Sequence, residues 1–222
     1  MNKNRFPNIP VIPKRLLLRE QVKTHIVNSV MTGEIKPGER LIESTLARQL
    51  GISQAPVREA IRDLVMMGFL ETEPYKGATV QEFSRKDLHE MYAVRAALES
   101  LAAREAASHL TDKDLEKLRE IYQAMLTAAQ DDDIQKTSAL NNDFHEYIIH
   151  VSGNKMINRL WHTLQLGHWT YYSARRSDLG LEALVERHED LIKALETRNP
   201  QTAMNAMRRH IESVEPVLHL NN

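Results

Sequence analysis

The chain has 222 residues, no cysteine, ten histidines, and 29 basic against 30 acidic side chains, for a net charge of −1. That length suits one or two domains and buries a core without staples; zero cysteine excludes a disulfide framework, a zinc ribbon and thiolate catalysis, and fits a reducing compartment. No apolar run is long enough to span a bilayer, so no membrane partner is expected. The basic start MNKNRFPNIPVIPKR is broken by three prolines with no apolar segment behind it, so no signal peptide is expected and the location is expected to be cytoplasmic.

The near-neutral total hides an uneven distribution. Up to Val80, twelve basic side chains face eight acidic ones, a balance of +4, and the remaining 17 and 22 give −5. His25 is alone in front, and the other nine histidines lie behind. Two chemistries in two segments predict two domains with different partners. We divide the chain into a flexible arm over 1–15, a reader domain over 16–82 and a helical domain over 83–222.

In the arm, Pro7, Pro10 and Pro13 exclude helix. From Leu16 to Met31, the positions Leu17, Val22, Ile26 and Val30 form an amphipathic stripe that ends at Gly33 and Lys36-Pro37-Gly38. A short helix over about Ile42 to Leu50 stops at Gly51. Ser53 is placed to cap the next helix, with Pro56 in its first turn and Val57, Ile61, Leu64 and Val65 on its buried side. Phe69–Glu73 and Ala78–Gln81 read as two short strands around Pro74-Tyr75-Lys76-Gly77. This order predicts a winged helix-turn-helix with a small β-hairpin wing.

Everything behind reads as helix. Ser84 caps a long helix to about Ser108, and Thr111 with Asp114 starts the next, to about Gln130. Further helices run from about Ile134 to Val151, Asn154 to Ala174, the Ser177–Gly180 loop to Thr197, and Pro200 to His219. The fold class is therefore mostly α, with a six-helix antiparallel bundle after the wing.

In a helix-turn-helix the second helix enters the major groove N-terminus first. Here that turn holds Ser53, Gln54, Ala55 and Arg58. Ser53 and the helix N-terminus suit a phosphate, Gln54 suits adenine, and Arg58 reaches guanine or phosphate. Lys76 and Gly77 at the hairpin tip suit the adjacent minor groove. Arg58 can instead form a plain surface pair with Glu59. The run from Lys36-Pro-Gly-Glu-Arg-Leu through Gly51-Ile-Ser-Gln-Ala-Pro-Val-Arg-Glu-Ala to Gly-Phe-Leu and Lys-Gly-Ala-Thr-Val resembles the GntR superfamily of bacterial transcription regulators. That resemblance implies a homodimer on a palindromic operator, with Ser53, Gln54, Ala55, Arg58 and Gly77 against DNA. The superfamily commonly has arginine and threonine where this chain has Gln54 and Ala55, which implies a half-site shifted toward adenine.

In the helical domain, His188 lies eleven residues before Asn199 and His210 ten after Pro200, so in a hairpin both stand roughly 15 Å from the turn. Asn141 and His145, four apart, project side by side. Three imidazoles and one amide oxygen suit a transition metal and not magnesium. His162 competes, being as far past Gly153-Asn154 as His145 is before it. His145-Glu146 with His150 is no zincin signature, because the second histidine falls on another side of the helix. The segments Arg95–Glu99, Asn141–His145, Glu186–His188 and Met207–His210 resemble the FCD ligand-binding domain of FadR-like regulators, in its six-helix VanR-type form. That resemblance implies a divalent metal, zinc or nickel foremost, on Asn141, His145, His188 and His210. Asparagine replaces the usual aspartate, leaving the site one charge more positive and open to an anion. A small carboxylate effector is expected over the metal, with Arg95, Tyr171 and Arg175 as its contacts, although Arg95 can instead pair with Glu99. Leu98, Leu101 and Ala102 belong either to a dimer face or to the core.

These readings converge on a metabolite-responsive repressor. The alternative is a metal-dependent helical hydrolase with an attached DNA-binding module. Against it, the sequence offers no adjacent His-Asp pair and no evident general base beside the ligands.

Overall fold

A computed structural model describes residues 14–73, 77–81, 84–163, 177 and 179–214. The chain divides into two compact units, one ending at Glu82 and one beginning at Phe83.

The first unit opens with helix α1 (Lys14–Thr32), which begins inside the span expected to be arm. Its inward face is Val22, Ile26, Val27 and Val30, packed in the core. Leu17, expected on that face, is 56% exposed instead. Helix α2 (Glu43–Leu50) ends at Gly51, whose φ of 66° is the left-handed conformation that glycine adopts without a steric penalty. Helix α3 (Gln54–Met66) buries Val57, Ala60, Ile61 and Leu64. Ser53 holds its N-cap position in extended backbone, but its side chain makes no capping hydrogen bond.

Strands β2 (Leu70–Glu73) and β3 (Gly77–Val80) form the expected antiparallel hairpin, with Leu70 opposite Val80 and Glu73 opposite Gly77. A further strand, β1 (Arg40–Leu41), was not anticipated. It pairs antiparallel with the other side of β3, giving the order β1-β3-β2. Two residues carry no readable alternation, and their pairing with residues nearly forty positions on is invisible to local pattern. Leu41 points into the core and Arg40 outward. At Gly77 the φ is +83°, and a Cβ would sit 3.4 Å from Arg40 Nε and 3.5 Å from the Leu41 carbonyl oxygen. Those are ordinary contact distances, so it is the left-handed φ that favours glycine at this position.

The second unit contains six helices among the described residues: α4 (Arg85–Ala107), α5 (Asp112–Gln130), α6 (Ile134–Val151), α7 (Lys155–Thr163), α8 (Leu181–Glu196) and α9 (Pro200–Glu212). Helices α4 and α5 both start with reciprocal capping boxes, Ser84 with Asp87 and Thr111 with Asp114. Asn199 caps α9 through its side-chain oxygen, which accepts from the Gln201 and Thr202 amides. Helix α9 ends at Glu212, short of the expected end near 219. The helix expected to reach Ala174 is described only to Thr163. The most extensive packing is α9 on α4, followed by α5 on α6 and α8. Of these five helices, α6 carries Asn141 and His145, α8 carries His188 and α9 carries His210.

Candidate DNA-reading face and metal centre

On the reader, Ser53, Gln54 and Arg58 are exposed at the start of α3, with Ala55 half-buried beside them. Pro56 and Val57, next in sequence, are buried and anchor the turn. Arg58 does not pair with Glu59. Its Nε donates to Glu43 Oε2 at 2.8 Å, tying the first turn of α3 to the first turn of α2. Gly77 is exposed at the start of β3, and Arg40 lies exposed beside it. Lys76 lies outside the described residues. The face is what a groove-reading helix requires: polar side chains at the N-terminal turn, on a helix whose other side is fixed by core packing.

In the helical unit, His145 on α6, His188 on α8 and His210 on α9 are buried, and each offers a ring nitrogen within 4.8 Å of the others'. Two nitrogens each about 2.1 Å from one zinc ion lie roughly 3 to 4 Å apart, so the rings need close by only about an ångström. His188 and His210 are the tightest pair, with ring centroids 4.4 Å apart. His188 Nδ1 lies 2.9 Å from the Val185 carbonyl, a contact that places its proton on Nδ1 and the lone pair on Nε2. That Nε2 and His210 Nδ1 are buried without a hydrogen-bond partner. Burial, reinforced by the neighbouring imidazoles, pushes the pKa of His188 down to about 3 and that of His210 well below the usual range. Both are therefore neutral, the state a metal ligand needs. Orphaned nitrogens are costly in a core, so the donor set fits a nitrogen-preferring transition metal. Asn141, also buried, lines the same cavity one turn before His145.

His162 is not in this cluster. It is half-exposed, with Nε2 3.5 Å from Glu146 Oε1. Arg95 is buried against Glu99, Nε to Oε1 2.8 Å, with the two side chains 3% and 1% exposed. Burial opposes both charges, but each is outweighed by the other: Glu99 stays below the ordinary carboxylate range and Arg95 above its own. Glu99 Oε2 in turn lies 2.6 Å from His145 Nδ1, and neither atom has another partner. The sequence shows no evident general base beside the ligands and does not single out Glu99 as a neighbour of His145. Glu99 is held by Arg95 and by a ligand, the position of a carboxylate that orients an imidazole. It follows that Arg95, expected to meet an effector, is committed to Glu99. Tyr171 and Arg175 lie outside the described residues. Helical spacing offered Glu99 as a partner for Arg95 but gave no hint that it would also meet a histidine.

A cavity of about 50 Å³ opens over the cluster, lined among others by Thr137, Ser138, Asn141 and Arg187. That is room for about four water-sized groups. Of the first helix's candidates, Ala102 is core, Leu98 is partly buried against Ile149, Ile157 and Trp161, and Leu101 is exposed.

Comparison with known proteins gives the same division. The family model described as bacterial regulatory proteins, gntR family, matches residues 18–80, and the FCD domain model matches residues 90–213. A protein named "Probable D-xylose utilization operon transcriptional repressor" from Paenarthrobacter nicotinovorans is 32% identical over 208 residues, 94% of this chain and 92% of the relative. The HTH-type transcriptional regulator McbR of Escherichia coli strain K12 is 29% identical over 211 residues, 93% of this chain and 95% of the relative. The solved structure of E. coli McbR/YncC superposes with a TM-score of 0.74 at 27% identity, covering 88% of this chain and 94% of that one.

Proposed function

Because the chain belongs to the GntR family and carries an FCD domain behind its DNA-binding module, it is a transcriptional regulator and not an enzyme, and we propose that it is a cytoplasmic, metabolite-responsive repressor whose helical domain holds a divalent metal and a small carboxylate. One observation carries this reading: three buried histidines from three helices bring ring nitrogens within 4.8 Å of one another, and His188 Nε2 and His210 Nδ1 have no hydrogen-bond partner. His145, His188 and His210 with Asn141 would hold zinc or nickel. Bound there, the metal would supply a positive centre with positions left for an anion. The hydrolase alternative loses its footing, since Glu99, the one carboxylate beside the cluster among the described residues, is fixed between Arg95 and His145 and is not available as a base.

The protein acts as a homodimer on a palindromic operator, Ser53, Gln54, Ala55, Arg58, Lys76 and Gly77 facing DNA. Exposed hydrophobic side chains support the dimer: Val94 and Leu101 on α4 and Met156 and Leu160 on α7 are large apolar groups left open to solvent. Effector binding need change operator affinity only tenfold, about 1.4 kcal/mol, to switch transcription.

Native mass spectrometry of the purified full-length protein tests dimer and metal together, and a gel-shift titration against promoter fragments with and without a chelator tests the coupling. A metal-free monomer whose DNA affinity ignores chelator would overturn the reading.

A further inference from the structure

The exposed stripe of α3 does not stay over one groove. Gln54, Arg58, Arg62 and Met66 are all exposed and stand four residues apart. With 3.6 residues to a turn, each step carries the stripe about 40° around the helix, so Arg62 faces about 80° away from Gln54. That rotation takes it toward the sheet. Arg62 and Met66 line one side of a cleft of about 600 Å³, and Arg40, Thr72 and Gly77 line the other. Arg62 makes no ion pair or hydrogen bond among the described residues.

Arg40 approaches the cleft from the sheet. Its side chain lies against the backbone of Gly77, where a Cβ would stand 3.4 Å from Nε and 3.8 Å from Nη2. The pairing of β1 with β3, Arg40 opposite Thr79, fixes this arginine beside the hairpin. Glu43 is the one carboxylate that lines the cleft among the described residues, and Arg58 already holds it at 2.8 Å. Two arginines on facing walls, with the acid between them matched elsewhere, make a basic slot. Its rim is apolar, Ile42 and Met66 being 50% and 80% exposed.

Such a slot suits a sugar-phosphate strand, with guanidinium groups on phosphate oxygens and apolar side chains on deoxyribose. Adjacent grooves of a duplex are separated by one such strand. With the first turn of α3 in the major groove and the hairpin in the next minor groove, that strand runs between helix and sheet. We propose that it lies in this cleft, and that Arg40 and Arg62 clamp it from either side. They are positioning residues: they set the register of the reading turn and contact no base. The inference rests on the DNA-facing assignment above and extends it to two residues outside the reading turn.

The test titrates the full-length protein, at a series of salt concentrations, against two fluorescent random-sequence duplexes, one rich in A·T and one in G·C, and reads anisotropy. Each neutralised phosphate contributes about 0.9 to the slope of log affinity against log salt. Arg62→Ala and Arg40→Ala should each weaken binding several-fold, by the same factor on both duplexes, and flatten that slope by about one. Arg62→Lys should keep most of the slope, since lysine still offers phosphate a point charge. Arg208→Ala, which removes an exposed charge from α9, should leave the slope as in wild type. Because Arg40 also packs on Gly77, Arg62→Ala carries the test if Arg40→Ala does not fold. An unchanged slope in Arg62→Ala overturns the clamp. So does a loss confined to one duplex, which would make Arg62 a base reader, and so does an equal flattening in Arg208→Ala, which would reduce the effect to net charge. Each of these leaves the DNA-facing assignment standing. Wild type that binds neither duplex at low salt overturns both.

Discussion

The two units present their functional groups in opposite ways. The reader's are exposed, and Arg58 among them is already partnered by Glu43. In the helical unit His188 Nε2, His210 Nδ1 and Ser138 Oγ are buried and unpartnered. On a surface, water satisfies any polar group, so exposure reveals little about what binds there. In a core an unmade hydrogen bond has a cost, and its presence points to a missing partner. The buried site is therefore the better defined of the two, and the sharpest experiments are the ones that ask whether burial or exposure governs each residue's effect.

The largest effect is expected from the ligands themselves. His188→Ala and His210→Ala should each lower zinc affinity by more than the roughly 100-fold typical of an outer-shell partner. Chelator competition measures this, and a smaller loss would place that histidine outside the coordination sphere.

Burial of neutral histidine also predicts a pH dependence. The folded pKa of His188 lies below its unfolded value. Below about pH 6.5 the unfolded chain binds a proton that the folded one refuses, so stability is full above that pH and falls as pH drops toward 3. Each such histidine contributes up to about 1.4 kcal/mol per pH unit. Metal-free protein should therefore lose thermal stability between pH 7 and 5, and His188→Gln should lose it less steeply. Identical slopes would mean His188 is not held neutral.

Glu99→Gln sharpens the same comparison from one step further out. It keeps the shape but removes the charge that orients His145, and should cost about 10- to 100-fold in metal affinity. An unchanged affinity would reduce the Arg95–Glu99 pair to a structural ion pair. On the exposed side, Arg58→Ala should weaken operator binding by about 1–3 kcal/mol, the range for a base-reading side chain. A gel-shift titration reads it, and unchanged affinity would remove Arg58 from the reading turn.

How much of this was legible in the sequence follows the same line. The caps Ser84 and Thr111 were readable because capping is local. So was the registration of His188 and His210, since two helices joined by a tight turn fix each other's height. Strand β1 was not, because its pairing with Thr79 and Ala78 is long-range. Leu17 was misplaced because periodicity names a face without saying how far along the helix the neighbouring core extends. Glu99 was missed as a site residue for a related reason. Spacing tells which residues turn inward, but which of them meet is settled only when every neighbour is in place.

The smallest predicted effect concerns the contact that separates the two regimes most finely. The Arg58–Glu43 pair is partly exposed, at 50% and 34%, so it adds little to stability. Its interest lies in what Arg58 does near DNA. Glu43 sits in the first turn of α2, the helix that crosses the phosphate backbone in this fold, where its charge repels phosphate while its carboxylate holds Arg58 in one direction. Glu43→Gln removes both effects. Non-specific binding should strengthen slightly across all sequences, because one repulsive charge is gone. Specific binding should gain less, because a freed arginine must be ordered on the base it reads. The ratio of operator to random-sequence affinity should therefore fall by about twofold to fivefold, on the order of the worth of an exposed pair. An unchanged ratio would show that Arg58 reads without help, and that on this face even a well-formed contact is decided by water.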